Sequence, residues 1–209
     1  MFTGLTNYSR LAKKDKRLSL EILEEHDTIL TRKIKNFHGN IIKHINESIF
    51  IEFPSATDAT RCALSIQNKL KSFNASSPKD FQIKVGIGIH MAEVYEEDGD
   101  LFGDGINLAA RIKSIAGNDE ILTTQAVYNS IRSEKDIFVQ DIGRVVLKNI
   151  ADPERIFKIY KNQTDFDSET LDGIISKMKE RGVDFFDYKT SQNQNTKIAM
   201  HYIQNLGSD

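Results

Sequence analysis

Residues 100–111 read Asp100-Leu-Phe-Gly-Asp-Gly-Ile-Asn-Leu-Ala-Ala-Arg111. Gly103 and Gly105 mark a tight turn. The residues after it carry a helical pattern that sets Asn107 and Arg111 one turn apart on the same face. An amide and a guanidinium so placed aim at one point in space. The guanidinium's planar fork of donors suits phosphate oxygens, and the Asp100 carboxylate upstream is an acceptor for a base amino group. On these residues alone the stretch reads equally as an ordinary amphipathic helix behind a glycine turn, with Arg111 in solvent.

Outward from that stretch the chain alternates between strand and helix signals. Met1 to Gly4 read as the end of a strand, and Leu11 to Phe37 as one helix with Leu18, Ile22, Ile29, Leu30 and Ile34 near a 3.6-residue period. Ile41–Ile45 and Ile49–Phe53 are two apolar arms around Asn46-Glu47-Ser48, a β-hairpin. Pro54 stops the second arm, and Ala56 to Phe73 predict a helix buried on one face. Phe81 to Glu93 predict one long strand. Strands are expected again at Glu120–Thr124, Ile137–Leu147 and Arg155–Tyr160, with a helix over Gln125–Arg132. This order is that of an α+β sandwich with a mostly antiparallel sheet.

Composition sets the outer bounds. At 209 residues, 39% apolar and 28% charged, the chain has enough apolar residues for a sizeable core. A net charge of −2 gives no reason to expect nucleic acid or an anionic membrane as partner. No apolar run approaches the roughly 18 residues that would cross a bilayer. The early run Lys13-Lys14-Asp15-Lys16-Arg17 is no signal-peptide core. The expectation is a soluble, cytoplasmic protein. The single Cys62 falls among Ala59, Ala63, Ile66 and Leu70 and reads as a buried thiol. His26, His38, His44, His90 and His201 have no metal-binding spacing, and no nucleophilic Ser-His-Asp or Cys-His set can be assembled.

The opening stretch resembles the signature of the class III adenylyl/guanylyl cyclase catalytic domain, D-x-(F/Y/W)-G-x-x-(V/I)-N-x-A-(A/S)-R, and fits it at every fixed position. Four further segments match that family in order. Phe2 to Leu11 resembles F-x-D-(I/M)-x-G-(F/Y)-(S/T)-x-L. Gly39 to Phe53 resembles the hairpin G-x-x-(I/V)-K-x-x-G-D-(G/S)-x-x-x-x-F. Val85 to His90 resembles the glycine-bearing strand, and Leu147 to Phe157 the closing L-K-G segment. The resemblance implies a ferredoxin-like core with added elements in residues 1–161, with its first strand truncated. Residues 162–209 are left as a helical C-terminal tail.

The family's chemistry closes a ribose 3′-hydroxyl onto the α-phosphate and expels pyrophosphate, with two Mg²⁺ or Mn²⁺ ions sharing the work. By position, Lys43 and Asp100 match the pair that selects adenine, Asn107 the residue that orients the ribose, and Arg111 the one that stabilises charge on the phosphate. The resemblance therefore implies ATP, with GTP as the other possibility. The two metal-binding aspartates fall on Gly4 and Glu47. Glycine has no side chain to ligate with. Glutamate carries its oxygens farther out by about one C–C bond, where such sites need placement within about 0.5 Å. Asn7 and Asn46 stand at two further glycine positions. Ile150 takes the place of a lysine that holds the triphosphate, leaving Lys148 as the nearest cation.

Family members dimerise head to tail, one partner giving the metal aspartates and the other the base, ribose and phosphate contacts. This chain keeps most of the second set and lacks the first. Two expectations follow. One is a degenerate module of cyclic-nucleotide signalling that binds nucleotide or regulates, inactive or very weak alone. The other is the substrate-binding half of a heterodimeric adenylate cyclase. Either way the partner is a cyclase domain, as homo- or heterodimer. The start so close to the first strand suits an internal methionine of a longer protein. In the tail, Asp167-Ser168-Glu169 is expected to cap a helix carrying Leu171, Ile174, Ile175 and Met178, ended by Gly182. A second helix is expected over Thr196 to Leu206, and Phe185-Phe186 and Tyr188 are expected to pack back on the domain.

Overall fold

The structure is a computed structural model and describes residues 1–97 and 100–186. Eight strands form one sheet. In chain order they are β1 (Phe2–Leu5), β2 (Asn40–Ile45), β3 (Ser48–Glu52), β4 (Val85–Ile89), β7 (Ile121–Thr124), β8 (Phe138–Val146), β9 (Glu154–Tyr160) and β10 (Asp184–Phe185). Strands β5 (Tyr95–Glu97) and β6 (Asp100–Phe102) pair separately as a small hairpin. The helices are α1 (Tyr8–Lys14), α2 (Lys16–Asn36), α3 (Ala56–Ser76), α4 (Asp104–Ile115), α5 (Gln125–Ile131), α6 (Gln163–Ser168) and α7 (Leu171–Glu180). The sheet runs β10-β8-β9-β7-β4-β1-β3-β2, and every neighbouring pair is antiparallel except β4 with β7. That parallel step needs a crossover, and α4 lies within it. The expected α+β fold with a mostly antiparallel sheet is what forms.

Alternation along the strands gives the sheet two apolar faces. Ile49 and Ile51 join the core made with Leu30 and Ile34 of α2 and Ile66 and Leu70 of α3, whereas Phe50 between them faces the other way. On that other side Leu108 and Ile112 of α4 pack with Leu122, Val145 and Ile156, and with Ile174 and Met178 of α7. Each such side chain, fully buried, contributes roughly 1.5–3 kcal/mol. Helix α7 and strand β10 thus lie on the same sheet as the elements before them. Phe185 packs on this second core.

Three expectations need correction. The single helix over Leu11–Phe37 is two, because Asp15 sits in extended backbone and its carboxylate accepts from the Leu18 N–H at 3.0 Å, starting α2 anew. The long strand over Phe81–Glu93 shrinks to Val85–Ile89. Asn74 accounts for the early part: its side chain accepts from the Ile83 N–H and donates to the Ile83 carbonyl, both at 2.8 Å, taking the groups a ladder would use. In the tail, α6 is capped by Asn162 and α7 by Thr170. Glu169, expected in a cap, instead accepts from Lys158 and Lys177. The helix expected over Thr196–Leu206, together with Tyr188 and His201, lies outside the described residues. Cys62 is fully buried in the first core, and burial pushes its thiol up to about 12.

Candidate active site

Glycines decide how α4 is seated. The chain turns into the helix at Gly103, whose φ of 147° is a conformation that side chains disfavour. Beneath the helix, β4 presents Gly86 and Gly88. A Cβ on Gly88 would stand 2.7 Å from the Ala109 carbonyl and 2.8 Å from the Lys113 Cα. One on Gly86 would stand 2.9 Å from the Ala116 carbonyl. Only with both side chains missing does the helix backbone lie directly on the strand. Gly4 of β1 pairs with Gly86, which extends the same bare floor one strand further.

This seating divides α4 into two faces. Asn107 is exposed and Arg111 half-buried, one turn apart on the outward side, and neither side chain has a hydrogen bond or ion pair among the described residues. The α4 helix and the β2–β3 hairpin meet over Phe2 and Phe50, whose rings stack at 4.6 Å. Ile42 of the hairpin and Ile106 and Ala110 of the helix lie against that stack, partly open to solvent. Lys43 is exposed on β2, just past a register shift between Ile41 and Lys43. Such a bulge re-aims the side chains beside it. Asp100 opens β6 opposite Glu97, and its side chain lies outside the described residues.

The inward face reaches the positions where metal aspartates were expected. Glu47 is half-buried in the β2–β3 turn, and Gly4 is buried opposite Ser48. Above Gly4 stands Lys113, whose ammonium donates to Ser48 Oγ at 3.0 Å. Burial lowers the Lys113 pKa, and the nearby Glu47 charge raises it. Among the described residues no three His, Cys, Asp or Glu side chains gather where they could hold a metal ion. Asn46 and Asn7 both adopt left-handed backbone, φ 53° and 64°, as the glycines expected at those two places would do readily. Beside Leu5–Asn7 and Lys113 opens a cavity of about 730 Å³. Ile150 packs into the α4–α7 core, and Lys148 next to it is exposed. His90 is held by Thr124 Oγ1 at 2.8 Å, with burial lowering its pKa.

Residues 1–161 match the family model of the adenylate and guanylate cyclase catalytic domain. The chain belongs to that family. Among its relatives is "Putative adenylate cyclase 3" of Rhizobium meliloti, 30% identical over 151 residues, which are 72% of this chain and 26% of that protein. The chain therefore spans about a quarter of that relative's length. An adenylate/guanylate cyclase/hydrolase from Silicibacter pomeroyi shares the fold with a TM-score of 0.69 at 28% identity, over 75% of this chain and 93% of that one. The adenylyl cyclase CyaB from P. aeruginosa aligns with a TM-score of 0.65 at 16% identity, over 76% and 91% of the two chains. In this cyclase domain the signature pair Asn107 and Arg111 sits together on one helix face, and Lys43 and Glu47 sit on one hairpin. Lys113 went unnoticed in the sequence. Its signal was faint: a lysine beside the apolar stripe of Leu108 and Ile112, in a chain with glycines at 4, 86 and 88.

Proposed function

We propose that this cyclase domain is a nucleotide-binding or regulatory module of cyclic-nucleotide signalling that makes little or no cyclic nucleotide by itself. The observation that carries the reading is the side-chain set around Gly4. One strand position offers no ligand, the turn offers a single carboxylate, and a lysine ammonium stands between the strand and the turn. A pair of Mg²⁺ or Mn²⁺ ions does not fit that set, so no catalytic step is assigned to metal held by this chain alone. Nothing comparable opposes nucleotide contact on the outward side, where Lys43, Asn107 and Arg111 are accessible and Asp100 is close in sequence. ATP is the nucleotide this set favours, by the Lys43 and Asp100 pair.

A second reading is supported by Asn107 and Arg111, whose side chains are unpaired among the described residues. Two polar side chains held at helical spacing on an open face suit a site completed by another subunit. The half-open apolar strip of Ile42, Ile106 and Ala110 suits contact with a cyclase domain, a second copy or a different one. In that reading the chain is the substrate half of a heterodimeric adenylate cyclase, converting ATP to cyclic AMP and pyrophosphate with metal aspartates from the partner. Among the described residues no helix is long and apolar enough to cross a membrane, and we place the module in the cytoplasm.

The test is cyclic nucleotide formation from ATP and from GTP with excess Mn²⁺, first by the chain alone and then mixed with a cyclase domain that keeps both aspartates. No product alone and none when mixed, together with ATP binding measured by calorimetry, supports the module. Product only in the mixture supports the half-enzyme. Product from the chain alone, abolished by Arg111→Ala, overturns both.

A further inference from the structure

The inward face of α4 does more than lack a metal site; it has put another cation there. An ideal Cβ on Gly4 would meet the Lys113 Nζ at 2.9 Å, Ser48 Oγ at 2.5 Å and the Glu47 carbonyl at 2.7 Å. The space that an aspartate would need at this strand position is therefore filled from three sides, and one of the three is an ammonium group. That ammonium is fixed by its bond to Ser48, at 3.0 Å, and by the charge of Glu47 in the same turn. The missing side chain at Gly4 and the lysine on α4 are thus one arrangement. The glycine gives the room, and the close seating of α4 on Gly86 and Gly88 brings the lysine to it.

We propose that Lys113 is the resident cation of this site: its ammonium stands between β1 and the β2–β3 turn in place of a divalent ion, offsets Glu47, and keeps Mg²⁺ and Mn²⁺ out of this chain. A unit charge and a divalent ion held this close, in a site only partly open to water, repel one another. Lysine brings a compact charge on a flexible stem and so reaches a place that an arginine fork would fill poorly. The proposal rests on reading Gly4 and Glu47 as the family's two metal positions, and its test is metal binding, so it stands or falls apart from any cyclase activity.

The experiment follows Mn²⁺ binding to the full chain. In the wild type, backbone amide signals of Gly4, Glu47 and Ser48 are expected to keep their line widths when Mn²⁺ is added, apart from broadening shared with exposed carboxylates. Selective broadening of those three amides overturns the proposal without any variant being needed. In the double variant Gly4→Asp with Lys113→Ala, electron paramagnetic resonance of free Mn²⁺ is expected to report a new equivalent bound at least about tenfold more tightly than by the wild type. Gly4→Asp alone is expected not to gain it, since the lysine remains. A folded double variant (checked by circular dichroism) that binds no better than the wild type overturns the proposal. So does Mn²⁺ capture by Gly4→Asp alone.

Discussion

The two sides of helix α4 have met opposite fates. Outward, Asn107 and Arg111 stand one turn apart and reach solvent, as the nucleotide contact we propose for them needs. Inward, the same helix seals against a floor of glycines and sends Lys113 into the place expected of a metal. One helix of 12 residues thus carries both the face we propose for nucleotide and the lysine we propose in place of a metal. The lesson is that a signature motif reports on the face its fixed residues occupy, and says little about the opposite face only two residues away.

Predictions that break or sharpen this contrast run from large to small. Removing the outward charge should cost most. In any mixture where the chain supports cyclic nucleotide formation, Arg111→Ala is expected to lower the rate by about 10²–10³-fold, the usual loss of one group that stabilises transition-state charge. A rate unchanged by that substitution would show that the outward face never meets the phosphates. The inward side should respond in stability instead. Ile112, fully buried, is expected to cost about 2–5 kcal/mol on truncation to alanine. Asn107→Ala on the exposed side should stay within about 0.5 kcal/mol. Urea unfolding of both variants measures the difference directly.

Gly88→Ala tests the seating itself. Its new methyl would press on the backbone of α4, which cannot swing aside as a side chain can, so a loss of about 1–3 kcal/mol is expected. The same variant should disturb Lys113 and leave Arg111 accessible, so nucleotide binding should weaken less than stability. Equal losses in both would mean that the two faces are not separable. The smallest effect concerns Cys62. With burial holding the thiol up to about 12, the thiolate is scarce near pH 8, and a thiol reagent should label the native chain far more slowly than the urea-unfolded one. Rapid labelling of the native chain would show that the α2–α3 side of the sheet opens easily.

Much of this was legible in the linear chain because it depends on local spacing. The Asn107–Arg111 pair, the hairpin around Glu47 and the buried stripe of α3 all follow from periodicities of 3.6 and 2. The apolar pattern from Phe81 is genuine, yet the strand starts later because the Asn74 side chain, across the preceding loop, claims the backbone of Ile83. The break at Asp15 was missed because apolar residues continue in phase across it while a single carboxylate restarts the helix. Lys113 was missed because its partner residues lie far away along the chain, at 4 and 48.

The sequence by itself determined the family and most of the order of elements, and it led to the expectation that positions 4 and 47 do not carry the usual metal ligands, since each is a matter of residue identity at a place in a pattern. Only the tertiary structure decided what stands around Gly4. A glycine in a strand is silent about its surroundings until the sheet is paired and a helix laid on it. Here the close approach of α4, permitted by Gly86 and Gly88, turned the missing side chain at Gly4 into room for an ammonium group.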